Sequence, residues 1–238
     1  MTDRRHSALL FRLAVRPVGG SQQAILDELR RVILDGALPP GTPIPVGEVA
    51  EAFGVSHIPV REALKTLTGE GLIQHRRNLG YSVAQLTASE LGEMYIVRQT
   101  LETAALAAAV EHATDAERRS VAEINDLLDR ALRDGDPQSY HRQSRHFHLG
   151  LARPSRMLRL LHMLEYAWNI TEPVQLMVHV EQSQRAVLHD DHRVMLQAFL
   201  DRDAQQLLSA SAVHHQRLNA VVATLPPDTG LVADGPKI

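Results

Sequence analysis

The chain has 238 residues, 44% of them apolar and 22% charged, with a formal net charge of −3. That balance excludes a disordered chain and allows two modest domains with separate cores, and the 4% aromatic content favours helices over a β-sandwich. There is no cysteine, which excludes disulfides and thiolate metal sites and makes a reducing cytoplasm the expected location; no apolar run approaches the roughly 20 residues that span a bilayer, so no membrane partner is expected.

Residues 1–20 carry Arg4, Arg5, Arg12 and Arg16, lack the apolar stretch and cleavage site of a signal peptide, and read as a flexible arm. Ser21 caps a helix over 22–35, with Ile25, Leu29, Val32 and Ile33 on one face and Gly36 as its stop. Prolines 39, 40, 43 and 45 keep the next stretch out of a helix. A short helix follows at 46–53, ended by Gly54. Ser56 then caps a third at 57–70, with Val60, Leu64 and Leu67 as its apolar stripe. Leu72–Gln74 and Tyr81–Val83 alternate as strands around the basic turn His75-Arg76-Arg77-Asn78-Leu79-Gly80, which predicts a hairpin. Helix, helix, turn, helix, hairpin is the order of a winged helix-turn-helix.

Beyond residue 86 the pattern is helical throughout. Thr87-Ala88-Ser89-Glu90 and Thr114-Asp115-Ala116-Glu117 are capping boxes opening helices at 88–112 and 115–133. Further helices are expected at 138–152, 155–178, 182–201 and 203–224, with Pro173 able to break or kink its helix, and the tail from Pro226 to Ile238 reads as disordered. The fold class is therefore mainly α: a winged helix-turn-helix domain at 21–86 and an all-helical domain at 87–225. Residues 1–86 hold ten Lys/Arg against eight Asp/Glu, while the remainder holds fifteen against twenty. A DNA-binding head on an acidic body has this asymmetry.

Gly54 supplies the turn between two helices, and the second presents its first turn outward. Arg61 and its i+4 neighbour Lys65 can reach phosphate or a guanine edge. The stretch from Leu26 to Val83 resembles the DNA-binding domain of the GntR family of bacterial regulators. The likeness rests on Leu38-Pro39-Pro40-Gly41, Ala50-Glu51-Ala52-Phe53-Gly54-Val55-Ser56, Pro59-Val60-Arg61-Glu62-Ala63-Leu64, Gly69-Glu70-Gly71-Leu72 and Gly80. The resemblance implies DNA contacts from Ser56, His57, Ile58, Pro59, Arg61, Lys65, Arg76, Arg77 and Gly80. It also marks departures. Gly47 stands where the family usually has a DNA-contacting arginine, His57-Ile58 where it has Arg-Thr, and Leu79 where the wing often carries Arg. Fewer cations imply a diverged operator, with Ile58 able to meet a thymine methyl.

Residues 90–222 resemble the FCD effector domain of the FadR branch, through Tyr95-Ile96-Val97-Arg98-Gln99-Thr100-Leu101-Glu102, Phe147-His148, Asp191-His192-Arg193 and His214. That resemblance implies a divalent metal on His148, His192 and His214, with zinc or nickel suiting the nitrogen donors. It also implies an effector, a small carboxylate, contacted by Arg98. Ser144 stands where an aspartate ligand is expected and is assigned to the effector site; His141, one turn back, is the candidate substitute. The alternatives are a metal-free pocket for an acyl or other bulky ligand, lined by core histidines, and a plain Arg98–Glu102 helix ion pair. His146 and His215 are expected to point off the site's axis, and Trp168 and Tyr166 could line the pocket, with a core or dimer-contact role preferred. A metal-dependent hydrolase is disfavoured, because no His-Glu-x-x-His, nucleophile elbow or phosphate loop is present. The whole reads as a repressor, a homodimer on a palindromic DNA operator and no enzyme.

Overall fold

A computed structural model describes residues 9, 12–13, 21–226 and 229–233. The chain divides into two compact units. The first comprises Met1–Leu86, Asn169–Val174 and Gly230–Val232; the second comprises Thr87–Trp168, Gln175–Thr229 and Ala233–Ile238.

In the first unit, α1 (Gln22–Leu34) starts at Ser21, whose hydroxyl accepts from the Ala24 amide at 3.2 Å. It packs on α3 (His57–Gly69), and α2 (Val46–Phe53) packs on α3 as well. Ile25, Leu29, Val49, Phe53, Val60, Leu64 and Leu67 meet in one apolar core. Gly54 joins α2 to α3 at φ 64°, a left-handed conformation in which a Cβ would be strained. Ser56 occupies the N-cap position of α3 with extended backbone but makes no side-chain capping bond. The expected cap is thus a position without its hydrogen bond.

Strands β1 (Ile73–Arg76) and β2 (Gly80–Val83) pair antiparallel, with Ile73 opposite Val83 and Arg76 opposite Gly80. The strands reach further into the basic turn than the alternation suggested. The connection needs only 77–79 because Asn78 and Gly80 take φ of 66° and 82°. The proline segment lies along β2: Ile44 N donates to Tyr81 O at 2.8 Å and Val83 N to Thr42 O at 2.9 Å. Two expectations at the chain ends need correction where residues are described. Leu9 and Leu13 are buried in this core rather than part of a flexible arm. In the tail, Val232 N bonds Leu86 O at 3.0 Å and Gly230 O accepts from Gln85, so those residues are anchored, not disordered. The rest of 1–20, together with 227–228 and 234–238, lies outside the described residues.

The second unit is helical. Helix α4 (Ala88–His112) and α5 (Asp115–Arg133) open with the two expected capping boxes, both fully formed. Helix α6 (Pro137–Ala152) begins at the predicted breaker: Asp136 caps it, accepting from Ser139 N at 2.9 Å, and Pro137 fits the first turn, where its missing N–H costs nothing. The helix expected at 155–178 is shorter. Helix α7 runs only from Leu158 to Thr171, and two 3-10 turns, Glu172–Val174 and Leu176–Val178, replace its second half. Pro173 removes a helical donor there, and Gln175 takes φ 52°. Helices α8 (Gln182–Leu200) and α9 (Ala204–Val222) form an antiparallel pair around the Asp201–Asp203 turn. Helix α4 packs on α9 and α6, and α8 on α9 and α5. No helix among the described residues is long and apolar enough to cross a membrane.

Candidate functional site

Two groups of side chains carry chemistry, one in each unit. In the first unit, α3 turns Val60, Ala63, Leu64 and Leu67 into the core, which leaves the other face in solvent. Ser56, His57, Ile58, Arg61 and Lys65 are exposed there, and Pro59 is half-buried. Lys65 Nζ donates to Glu62 Oε1 at 2.8 Å, so part of its charge is already answered. Arg76, Arg77 and Gly80 are exposed on the hairpin. Two large apolar side chains stand among these cations, Ile58 at 72% and Leu79 at 78% exposure. A Cβ on Gly47 would meet only His57 Nε2, at 4.0 Å, which puts the position of the missing family arginine beside the first turn of α3. Each predicted DNA residue except Pro59 is thus exposed, and the face is mixed apolar and basic rather than uniformly cationic.

In the second unit, α6, α8 and α9 deliver His148, His192 and His214 to one buried point, with a ligand atom of each within 4.8 Å of the others. His148 Nε2 and His192 Nε2 lie 3.2 Å apart. Two nitrogens bound about 2.0–2.1 Å from one tetrahedral ion would be separated by about 3.3 Å. Burial is the main reason all three imidazoles are driven below their ordinary pKa, His214 to about 4 and His192 well below. They are therefore neutral near pH 7 and each has a lone pair to offer. The donor set fits a divalent transition ion.

The outer nitrogens face further side chains. His148 Nδ1 donates to Glu102 Oε2 at 2.9 Å, and Tyr140 Oη lies 3.5 Å from His192 Nδ1. His214 Nδ1 faces Asp191 Oδ2 at 3.7 Å, while Arg217 holds the other oxygen of Asp191. Ser144 is buried and lines the same pocket, but a hydroxyl is not the carboxylate the resemblance called for. His141 is buried in that lining too, outside the cluster of converging donors.

Arg98 is 2% exposed, with its guanidinium carbon 3.2 Å from the Trp168 ring centre and 4.5 Å from that of Tyr95. Stacking between two rings holds a cation without neutralising it. Its Nε is 3.8 Å from Glu102 Oε1, the expected i,i+4 ion pair without a hydrogen bond, and Glu102 meets His148 and His215 besides. With Tyr95, Trp168, Met177, Leu188 and the histidines, Arg98 encloses a cavity of about 10 Å³, room for one water.

Four residues in this arrangement escaped the sequence reading or were misplaced by it. Glu102 and Tyr140 hold outer nitrogens. His215, expected off-axis, is buried with Nε2 3.2 Å from Glu102 Oε2. Trp168, for which a core or dimer contact was preferred over the pocket, forms part of the cavity wall, whereas Tyr166 is 40% exposed. His146 is exposed, as its spacing from His148 implied. Spacing along one helix could place none of the four, since each meets a partner from another helix; only a buried-looking Glu four residues after Arg98 hinted at Glu102.

Residues 21–83 match the family model described as bacterial regulatory proteins, gntR family, and residues 93–217 match the FCD domain model. The D-xylose utilization operon transcriptional repressor assigned in Paenarthrobacter nicotinovorans is 30% identical over 200 residues, 82% of each chain. The gluconate operon transcriptional repressor of Bacillus licheniformis is 27% identical over 194 residues, 77% of each. The solved structure of Escherichia coli McbR/YncC shares the fold, with a TM-score of 0.75 at 24% identity over 87% of this chain and 98% of that one.

Proposed function

The chain belongs to the GntR family of bacterial regulatory proteins and carries its FCD effector domain, and from that premise we propose a repressor whose operator affinity is set by a carboxylate metabolite bound with a divalent metal. The family consists of transcriptional regulators, not enzymes. The observation that carries the finer reading is the convergence of His148, His192 and His214 beside the stacked Arg98.

On the DNA side, the exposed first turn of α3 is shaped to enter the major groove. Arg61 would take a guanine edge or phosphate, and Ile58 would rest on a thymine methyl. Arg76 and Arg77 on the hairpin would take backbone phosphates. One such domain reads too few bases for specificity, so a homodimer on a palindromic operator follows as part of the proposal. On the sensing side, zinc or nickel would be held by the three imidazoles and would supply Lewis acidity toward an anion. Arg98 would fix the other end of that anion, its own charge preserved by ring stacking. Ser144 would offer a hydroxyl to the ligand. A cavity of about 10 Å³ is too small for a metabolite, so the walls at Met177 and Leu188 must move on binding. That requirement couples occupancy to a conformational change.

Elemental analysis of purified wild type and of His192→Ala tests the metal. Stoichiometric zinc or nickel in the first and none in the second supports it; none in either after loading sinks it. Anisotropy titration of an operator duplex, with and without candidate carboxylates, tests the regulation, and light scattering tests the dimer.

One observation favours a metal-free second reading. Tyr140 Oη, His192, His148 and Glu102 form an unbroken chain of contacts at 3.5, 3.2 and 2.9 Å, which a proton on His192 Nε2 would satisfy without an ion. The pocket would then serve an acyl or other bulky ligand, against which its small volume counts.

A further inference from the structure

Glu102 sits on α4, 1% exposed, amid side chains from α6 and α9. Removing a carboxylate from water is costly unless its charge is answered, so packing alone does not account for it. Two imidazole nitrogens face its Oε2, His148 Nδ1 at 2.9 Å and His215 Nε2 at 3.2 Å. Its Oε2 accepts from His148 Nδ1 at 2.9 Å, while Oε1 has no hydrogen-bond partner.

An imidazole that donates from Nδ1 keeps its proton there, which leaves the Nε2 lone pair free. For His148, Nε2 is the atom that faces His192 at 3.2 Å. Glu102 thus selects the tautomer that the three-histidine centre needs. The inner side offers no anion of its own, because Ser144 is neutral where a carboxylate would have stood. We infer that Glu102 is the outer-sphere carboxylate of this centre, a positioning residue that fixes His148 where Ser144 offers only a hydroxyl. Asp191, behind His214 and held by Arg217, has the same relation to its own imidazole at longer range, 3.7 Å. The inference rests on the metal reading above.

Full-length protein, stripped with chelator, is titrated with Zn²⁺ against a chromophoric competitor and with Co²⁺ by visible absorption. The test variant is Glu102→Gln, which keeps shape and removes charge. The expected result is a loss of Zn²⁺ affinity of roughly 10- to 100-fold, with altered Co²⁺ bands. Nitrogen-15 NMR of the imidazoles should find His148 as the Nδ1–H tautomer in wild type and a mixture in the variant. Wild-type affinity, bands and tautomer in Glu102→Gln overturn the inference and leave the metal reading intact. Wild type that takes up neither ion overturns both. If the variant does not fold, the wild-type tautomer decides: Nε2–H on His148 overturns the assignment of Glu102.

Discussion

In the first unit the side chains assigned to DNA stand in solvent, Ile58 at 72% exposure and Arg61 beside it, whereas His148, His192 and His214 in the second are at most 2% exposed. On the open face each residue meets its partner independently, so a substitution there should change one contact. In the buried cluster each imidazole faces a second side chain, His148 at hydrogen-bond distance and His214 at 3.7 Å, so changing one member disturbs its neighbours. The open face can change by single steps, as it would have at Gly47, His57, Ile58 and Leu79, where the resemblance implied other residues. In the buried cluster the change at Ser144 leaves Glu102 and Asp191 as the remaining carboxylates near the imidazoles.

The sharpest way to break this contrast is His192→Ala. It should remove metal uptake, a loss exceeding the roughly 10- to 100-fold expected from removing an outer partner, with operator affinity in the absence of effector unchanged. Elemental analysis and anisotropy read the two arms. Arg61→Ala should do the converse, weakening operator binding by about 1–3 kcal/mol with metal content unaffected; unchanged affinity would show that α3 is not the reading helix. Ser144→Asp places a carboxylate at the buried position. Without metal it should lower stability by roughly 1–3 kcal/mol, and added Zn²⁺ should more than restore the thermal midpoint. A midpoint insensitive to Zn²⁺ in both proteins would count against the centre. The smallest effect is expected from Gly47→Arg. Its Cβ has open space, with only His57 Nε2 at 4.0 Å, so the variant should fold as wild type and steepen the salt dependence of operator binding by about 0.9 in log–log slope.

The same contrast explains what could be read from the chain alone. The recognition helix was legible because its signals are local: Gly54 must turn, Val60, Leu64 and Leu67 must face inward, and the remaining residues must then face out. The helix ends were legible where a side chain binds its own turn, as at Thr87, Thr114 and Asp136, and misleading at Ser56, which holds the position without the bond. Helix 155–178 was overlong because apolar spacing persists through Pro173 while the backbone does not. The three histidines were found through a family likeness, not through spacing; Glu102, Tyr140 and His215 were missed, and Trp168 was ranked as core before pocket, because their roles exist only across helices.

Trp168 is the chain's single tryptophan. Its ring lies 3.2 Å from the guanidinium carbon of Arg98 and 5.6 Å from the centre of the His148 ring. The chain's tryptophan emission therefore originates at one wall of this buried cavity, and no second indole dilutes it. Quenching by Ni²⁺ or Co²⁺, or a spectral shift as Arg98 leaves the indole for an anion, would be a direct optical signal of occupancy in the native sequence without any attached dye. The protein carries its own probe where the ligand is expected to bind.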